Sequence, residues 1–340
     1  MAETRIGLLA YAPALPSLRL PATAYKEAWG GCQARGLKRK AFCAYDEDAV
    51  TLAVAAARAL WDKLPEPAAF DALFLGATTL PYEEKPAAAS VLSALTDRRD
   101  LRVVELGGTP QAGLQALVAA WEYCAANPGR RALALAADAP AAPPDAPYEH
   151  ALGAGAAAFL VGPEGGVATF ERCCGVSRET FGRRLRRRGE AALIDLELRT
   201  DDVGPVLRDL RAVLANSQSS AVNRLTVGGE GAAAQRAASV LGLESATLSA
   251  PWSEIGDCGA ALSALALCDA LDRAVPGESI LALALGGGAT ALSLTAGPAV
   301  AAGRRSGLSL SDCAAAGRDV DYLAYLRHRR MLSSRFGDTA

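Results

Sequence analysis

Short apolar segments of strand length alternate with helical segments poor in glycine and proline, and this order runs through the chain twice. The first series predicts strands at Arg5–Ala12, Ala72–Leu75, Leu101–Leu106 and Ala132–Ala137, with helices at Ala49–Leu60, Pro86–Leu95 and Gln111–Ala125. Asp46, Glu47 and Asp48 precede the first helix, where acids suit the positive end of a helix dipole. The second series predicts helices at Gly204–Leu214, Ala232–Leu241 and Gly259–Arg273 and a strand at Arg224–Val227. Each series closes on two apolar strands joined through glycine-rich chain: Ala132–Ala137 with Ala156–Gly162, and Ile280–Leu285 with Ala289–Thr295. Such an order specifies a layered α/β protein with a weak internal duplication, visible in element order rather than residue identity.

Composition narrows the function classes. With 340 residues, a net charge of −2 and 51% hydrophobic residues, the chain is globular and long enough for two packed units. A disordered chain or a basic nucleic-acid-binding chain is excluded. The N-terminus shows no basic region followed by an apolar core and a small-residue cleavage site, so no secretory leader is read. The uncharged run Ile280–Gly303 is broken by Gly286, Gly287, Gly288, Thr290, Ser293, Thr295 and Pro298, which suits two strands around a turn and no membrane partner. Eight cysteines without CxxC spacing and only two histidines argue against a metal site and for reduced thiols in a cytoplasmic protein.

The motifs of common chemistries are missing. No GxxxxGK[ST] or GxSxG occurs, and the runs GAGAAA (Gly153–Ala158) and GGGATA (Gly286–Ala291) each precede an apolar strand, so they read as tight turns rather than phosphate loops. His150 is expected at a surface or hinge position, and His328 in a solvated basic tail. Six arginines crowd into Arg178–Gly189. They read as a solvated loop or as forked contacts to a phosphate-bearing ligand or an acidic partner.

The blocks YDEDAVTLA (Tyr45–Ala53), LGATTLPYEEKP (Leu75–Pro86), GAGAAA, IGDCGAA (Ile255–Ala261), PGESIL (Pro276–Leu281) and DYLAYL (Asp321–Leu326) together resemble 3-hydroxy-3-methylglutaryl-CoA synthases of the archaeal and bacterial type. They keep chain order from about Ile6 to Leu332. The resemblance implies an α/β thiolase fold: two similar halves packed as five layers (αβαβα), usually dimeric, with a coenzyme A tunnel and a pocket between the halves. On this reading residues 1–170 form the first half, 171–200 a basic connecting segment, 201–302 the second half and 303–340 a tail.

The resemblance also implies four catalytic positions, and each has changed. The nucleophilic cysteine falls on Gly107 or Gly108, the glutamate on Thr78, the histidine on Val227 or Gly228, and the asparagine on Asp257. Glycine cannot carry a thioester, and Asp257 places a negative charge where an oxyanion would need donors. Cys258 and Thr109 are the alternative nucleophiles. Arg183, Arg184, Arg186, Arg187 and Arg188 are the candidates for coenzyme A phosphates, with no covalently bound cofactor expected. The leading expectation is a non-catalytic subunit that dimerises and joins a cysteine-bearing thiolase subunit and a small zinc-ribbon/OB-fold protein in an acyl-CoA-dependent acyltransferase or thiolase complex. The alternatives are a self-sufficient acyltransferase with a relocated nucleophile, and an acyl-CoA-binding regulatory protein.

Overall fold

The acids before residue 49 cap a helix. In the computed structural model, which describes residues 5–163, 166–179, 184–196, 201, 203–215, 221–229, 231–303 and 309–332, the Asp48 carboxylate accepts the Thr51 N–H at 2.8 Å. The Thr51 hydroxyl accepts the Asp48 N–H in return, also at 2.8 Å, closing a capping box.

The chain opens with β1 (Ile6–Ala14), β2 (Leu18–Pro21), α1 (Ala22–Trp29), β3 (Arg39–Phe42), α2 (Ala49–Trp61), β4 (Ala72–Gly76) and α3 (Ala87–Leu95). Next come β5 (Arg102–Leu106), α4 (Ala112–Ala126), β6 (Ala132–Asp138) and β7 (Gly155–Pro163). The second series runs β8 (Ala168–Ser177), β9 (Arg184–Leu185), β10 (Ile194–Asp195), α5 (Val203–Ala215), β11 (Arg224–Val227), α6 (Gly231–Leu241) and β12 (Thr247–Ser249). It continues through α7 (Trp252–Ile255), α8 (Ala261–Arg273), β13 (Ser279–Leu285) and β14 (Gly288–Ala296). Then follow α9 (Val300–Gly303), α10 (Leu310–Ala315), β15 (Arg318–Asp319) and α11 (Tyr322–His328).

Ten strands join in the order β12-β11-β13-β14-β8-β1-β7-β6-β4-β5. Read outward from the middle, the halves repeat: β1, β7, β6, β4 and β5 on one side answer β8, β14, β13, β11 and β12 on the other. The halves meet through a short antiparallel contact, Gly7 opposite Thr169 and Leu8 opposite Ala168. Helices α2 and α3 cover the first half, α5 and α6 the second, and α4 packs on α8 between them. Three apolar clusters fill the three helical layers, giving the five-layer arrangement. Alanine and glycine line the central layer, so its backbones approach closely, and truncating a buried leucine there, such as Leu114 or Leu265, costs about 2–5 kcal/mol.

Residue 170, taken as the end of the first half, lies inside β8, which pairs with β14 along its whole length. Glu171, Arg172, Cys173 and Gly175 give that strand no apolar run, because its later residues are only partly covered. The tail is also built into the body. β15 pairs in parallel with β2, and α11 packs on α1 through Tyr25, Tyr322 and Tyr325. Beneath it the fully buried Arg19 guanidinium donates to the carbonyls of Pro16, Leu18, Cys313 and Ala314, which stitches these two segments together with no acidic hydrogen-bond partner among the described residues.

Candidate functional site

The central helices α4 and α8 each begin against a glycine at a strand end. A Cβ on Gly76, closing β4, would collide with the backbone of Ala112 and Gly113 in α4. A Cβ on Gly228, just after β11, would lie 2.9 Å from the Ser263 nitrogen and 3.0 Å from its Cα in α8. Only glycine permits so close an approach. The expected histidine therefore has no room at Gly228. Val227 faces the other way, into the apolar cluster under α5 and α6.

The loop where the cysteine is expected is equally bare. Gly107 and Gly108 follow β5, and Gly108 takes a φ of +80° with open space where a side chain would stand. The residues that follow are fastened to the opposite half. Thr109 Oγ1 and Gln111 Nε2 both donate to the Gly286 carbonyl, at 2.7 and 2.6 Å, while Gln111 Oε1 accepts from Thr290 Oγ1 at 2.7 Å. The Thr109 proton thus rests on a carbonyl, which cannot activate it as a nucleophile.

Thr78, at the expected glutamate position, is a donor to a residue that the sequence reading passed over. The buried Asp138, at the end of β6, accepts the Thr78 N–H at 3.0 Å and its hydroxyl at 2.6 Å, the Thr79 hydroxyl, and the Ala260 N–H at 2.7 Å. Asp257 accepts the Gly259 N–H at 2.9 Å and forms an ion pair with Arg184. The first donors at the start of α8, which could otherwise serve an oxyanion, are thus taken by two carboxylates of the chain itself. Cys258 is fully buried, and burial, reinforced by Asp257, pushes its thiol well above the ordinary range.

The arginine block lies across this centre. Besides Arg184 on Asp257, Arg186 donates to the Thr78 carbonyl at 2.6 Å and to the Glu190 carbonyl at 2.8 Å. Arg188 reaches Glu83 at 3.2 Å and Arg187 reaches Glu190 at 3.8 Å. Farther along, the Leu193 N–H donates to the Ala141 carbonyl at 2.7 Å and the Leu193 carbonyl accepts from the Tyr148 hydroxyl at 2.9 Å. Arg183 lies outside the described residues.

No family model matches the sequence. The hydroxymethylglutaryl-CoA synthase of Pyrococcus furiosus is 31% identical over 169 residues, 49% of this chain and 48% of the relative, so that match spans about half the relative's length. The hydroxymethylglutaryl-CoA synthase of Thermococcus gammatolerans is 26% identical over 351 aligned positions, 96% of this chain and 97% of the relative. Among solved structures, MvaS in complex with 3-hydroxy-3-methylglutaryl coenzyme A superposes with a TM-score of 0.81 at 20% identity, covering 99% of this chain and 94% of that one. The curacin-pathway HMG synthase in complex with acetyl donor-ACP gives 0.80 at 17% identity, covering 95% and 88%. The chain is HMG-CoA-synthase-like and has the thiolase fold.

The synthase-like chain has a second polar centre, against the Gly256–Asp257 turn, that the sequence reading missed. Lys40 and Glu149 are fully buried and paired at 2.8 Å, and the hydroxyls of Tyr25 and Tyr325 donate to the same Glu149 oxygen. Burial works against the Glu149 charge, but Lys40 and the tyrosine hydroxyls outweigh it and hold the carboxyl below its usual range. Burial pushes the Lys40 ammonium down to about 8 despite that partner. His150, expected at the surface, is buried here and stacks on Tyr25 with ring centroids 3.9 Å apart. Its Nδ1 accepts the Gln33 N–H at 3.0 Å, leaving Nε2 to donate to Asp145 at 3.2 Å. His328 accepts the Tyr45 N–H at 3.3 Å. Among the described residues, no three potential metal ligands gather in one place and no helix is long and apolar enough to cross a membrane.

Proposed function

We propose that this synthase-like chain is a non-catalytic subunit of an acyl-CoA-dependent acyltransferase or thiolase complex. One observation carries the reading: the four implied positions hold glycine, valine, a threonine bonded to Asp138 and an aspartate paired with Arg184, and the N–H groups of Gly259 and Ala260 just before α8 are held by Asp257 and Asp138. Groups that act as a unit lose most of their effect when one is removed, and here all four differ. A thiolase framework kept intact without that chemistry suits a cytoplasmic, dimeric chain that binds coenzyme A or an acyl-CoA and holds a cysteine-bearing thiolase subunit with its zinc-ribbon/OB-fold companion. The solved neighbours described with coenzyme A, HMG-CoA and a donor acyl carrier protein support a thioester ligand and a protein partner. On this reading Arg184 and Arg186 tie the segment to Asp257 and Thr78, while the exposed Arg187 and Arg188 remain candidates for coenzyme A phosphates.

The test is intact-mass spectrometry of the purified chain after incubation with acetyl-CoA and longer acyl-CoAs, with peptide mapping. The expected result is an unmodified mass. A stoichiometric adduct on Cys258 or Thr109 would replace this reading with that of a self-sufficient acyltransferase. Saturable acyl-CoA binding by a chain that co-purifies with no partner would instead favour the regulatory reading.

A further inference from the structure

The repeat of the two halves places Phe74 on β4 in the position that Thr226 holds on β11: each stands two residues before the glycine that meets a central helix. Each has an in-register neighbour on the edge strand, Val104 on β5 for Phe74 and Ser249 on β12 for Thr226. In the first half, a ring and an isopropyl group fill the space against the central layer. In the second half, a methyl-bearing hydroxyl and a hydroxymethyl group stand there instead.

Both second-half residues face inward. Leu225 and Val227, on either side of Thr226, belong to the outer cluster under α5 and α6, whereas Ala282, paired with Thr226 on β13, belongs to the central one. Ser263 comes from the opposite side, in the first turn of α8, with its Cβ 3.0 Å from where Gly228 would carry one. Thr226, Ser249 and Ser263 are all buried, and none of their hydroxyls has a hydrogen-bond partner among the described residues. Three orphan hydroxyls in one place are far from the rule for protein interiors, where buried polar groups are paired. Thr226 and Ser249 are smaller than Phe74 and Val104, which hold the equivalent places in the first half. Three buried, unpaired hydroxyls supply the polar partners an internal water needs, since such a water typically makes about three hydrogen bonds to otherwise unsatisfied groups.

We propose that Thr226, Ser249 and Ser263 form an internal water-binding site that fastens β11 and β12 to the first turn of α8, behind the position where the resemblance expects a catalytic histidine. The water takes the structural place of the first half's apolar filling. The site is independent of whether the chain is catalytic.

The sign of a stability change tests this. Replacing a water-bonded hydroxyl removes a hydrogen bond, whereas replacing an orphan relieves a desolvation penalty. Thr226→Val, Ser249→Ala and Ser263→Ala are each expected to lower Tm by about 2 °C. A high-resolution crystal structure of the full chain is expected to show one water peak within hydrogen-bond distance of at least two of the three hydroxyls. A rise in Tm for Thr226→Val, a dry site, or a peak too strong for water would overturn the assignment. If Thr226→Val does not fold, Ser249→Ala on the sheet edge supplies the same sign test.

Discussion

Asp138 and Glu149 are both carboxylates shut off from solvent, and they are held in opposite ways. Asp138 divides four donors evenly, two on each oxygen, and all four are neutral: two backbone N–H groups and two hydroxyls. Glu149 takes an ammonium and two tyrosine hydroxyls on one oxygen, while its Oε2 has no partner among the described residues. The first arrangement ties three elements of the two halves together through dipoles alone. The second depends on a compensating charge, so its integrity rests on Lys40. A buried carboxylate kept by dipoles is tolerant of its neighbours' protonation; one kept by a buried cation is not.

Removing that cation is the most damaging way to expose the contrast. Lys40→Ala is expected to destabilise the chain by about 3–5 kcal/mol, because it leaves a buried charge without compensation. Adding Glu149→Leu should recover much of the loss, as apolar replacement of a whole buried pair is often neutral. Chemical denaturation of the two single variants and the double variant measures the coupling. A Lys40→Ala variant as stable as the parent would show that the tyrosines suffice and erase the distinction.

Asp138→Asn is expected to cost less, about 2–3 kcal/mol, since the isosteric amide weakens charge-assisted bonds and turns an N–H group toward a donor. The same denaturation measurement applies. Hydrogen exchange should reveal faster opening at Thr78 and Ala260, the two backbone donors involved. A larger loss than that of Lys40→Ala would reverse the ranking of the two centres.

Acid should weaken the Glu149 side more mildly than these substitutions do. Burial lowers the His150 pKa from its ordinary value of 6.5, and the Glu149 carboxyl is also held below its ordinary 4.5. In both cases the unfolded chain binds protons that the folded chain refuses, so stability is full above those values and falls as pH drops below 6.5, then again below 4.5. Denaturation midpoints measured from pH 4 to 8 should show both steps, and His150→Asn should flatten the one that begins below pH 6.5. A profile unchanged by His150→Asn would remove His150 from the account.

How much of this could be read from the sequence depended on separation along the chain. Helix α2, strands β6 and β7 and the closing pair β13 and β14 declare themselves through local apolar spacing, and the blocks of resemblance carried the layered fold. Strand β8 did not, because its later residues are half-covered and polar. The glycines at 107, 108 and 228 marked the bare catalytic positions, but not the collision with Ser263 that closes Gly228 to a histidine. Lys40 and Glu149 each look like solvated charges in sequence, and only folding brings them together across 109 positions. Asp257 invited a reading as an uncompensated charge, and its neutralisation by Arg184 comes from a segment 73 positions away.

The stitching of these two segments by Arg19 also sets a clock on biosynthesis. Arg19 leaves the ribosome 294 residues before the Cys313 carbonyl that receives its guanidinium. At about 5–20 residues per second, that is roughly 15–60 s during which a cation destined for the interior has only local carbonyls to hold it. Until Arg318–His328 emerges, β2 lacks its parallel neighbour β15 and Tyr25 lacks α11. The nascent protein therefore carries an open seam at β2, which closes only once residues 313–328 have been made.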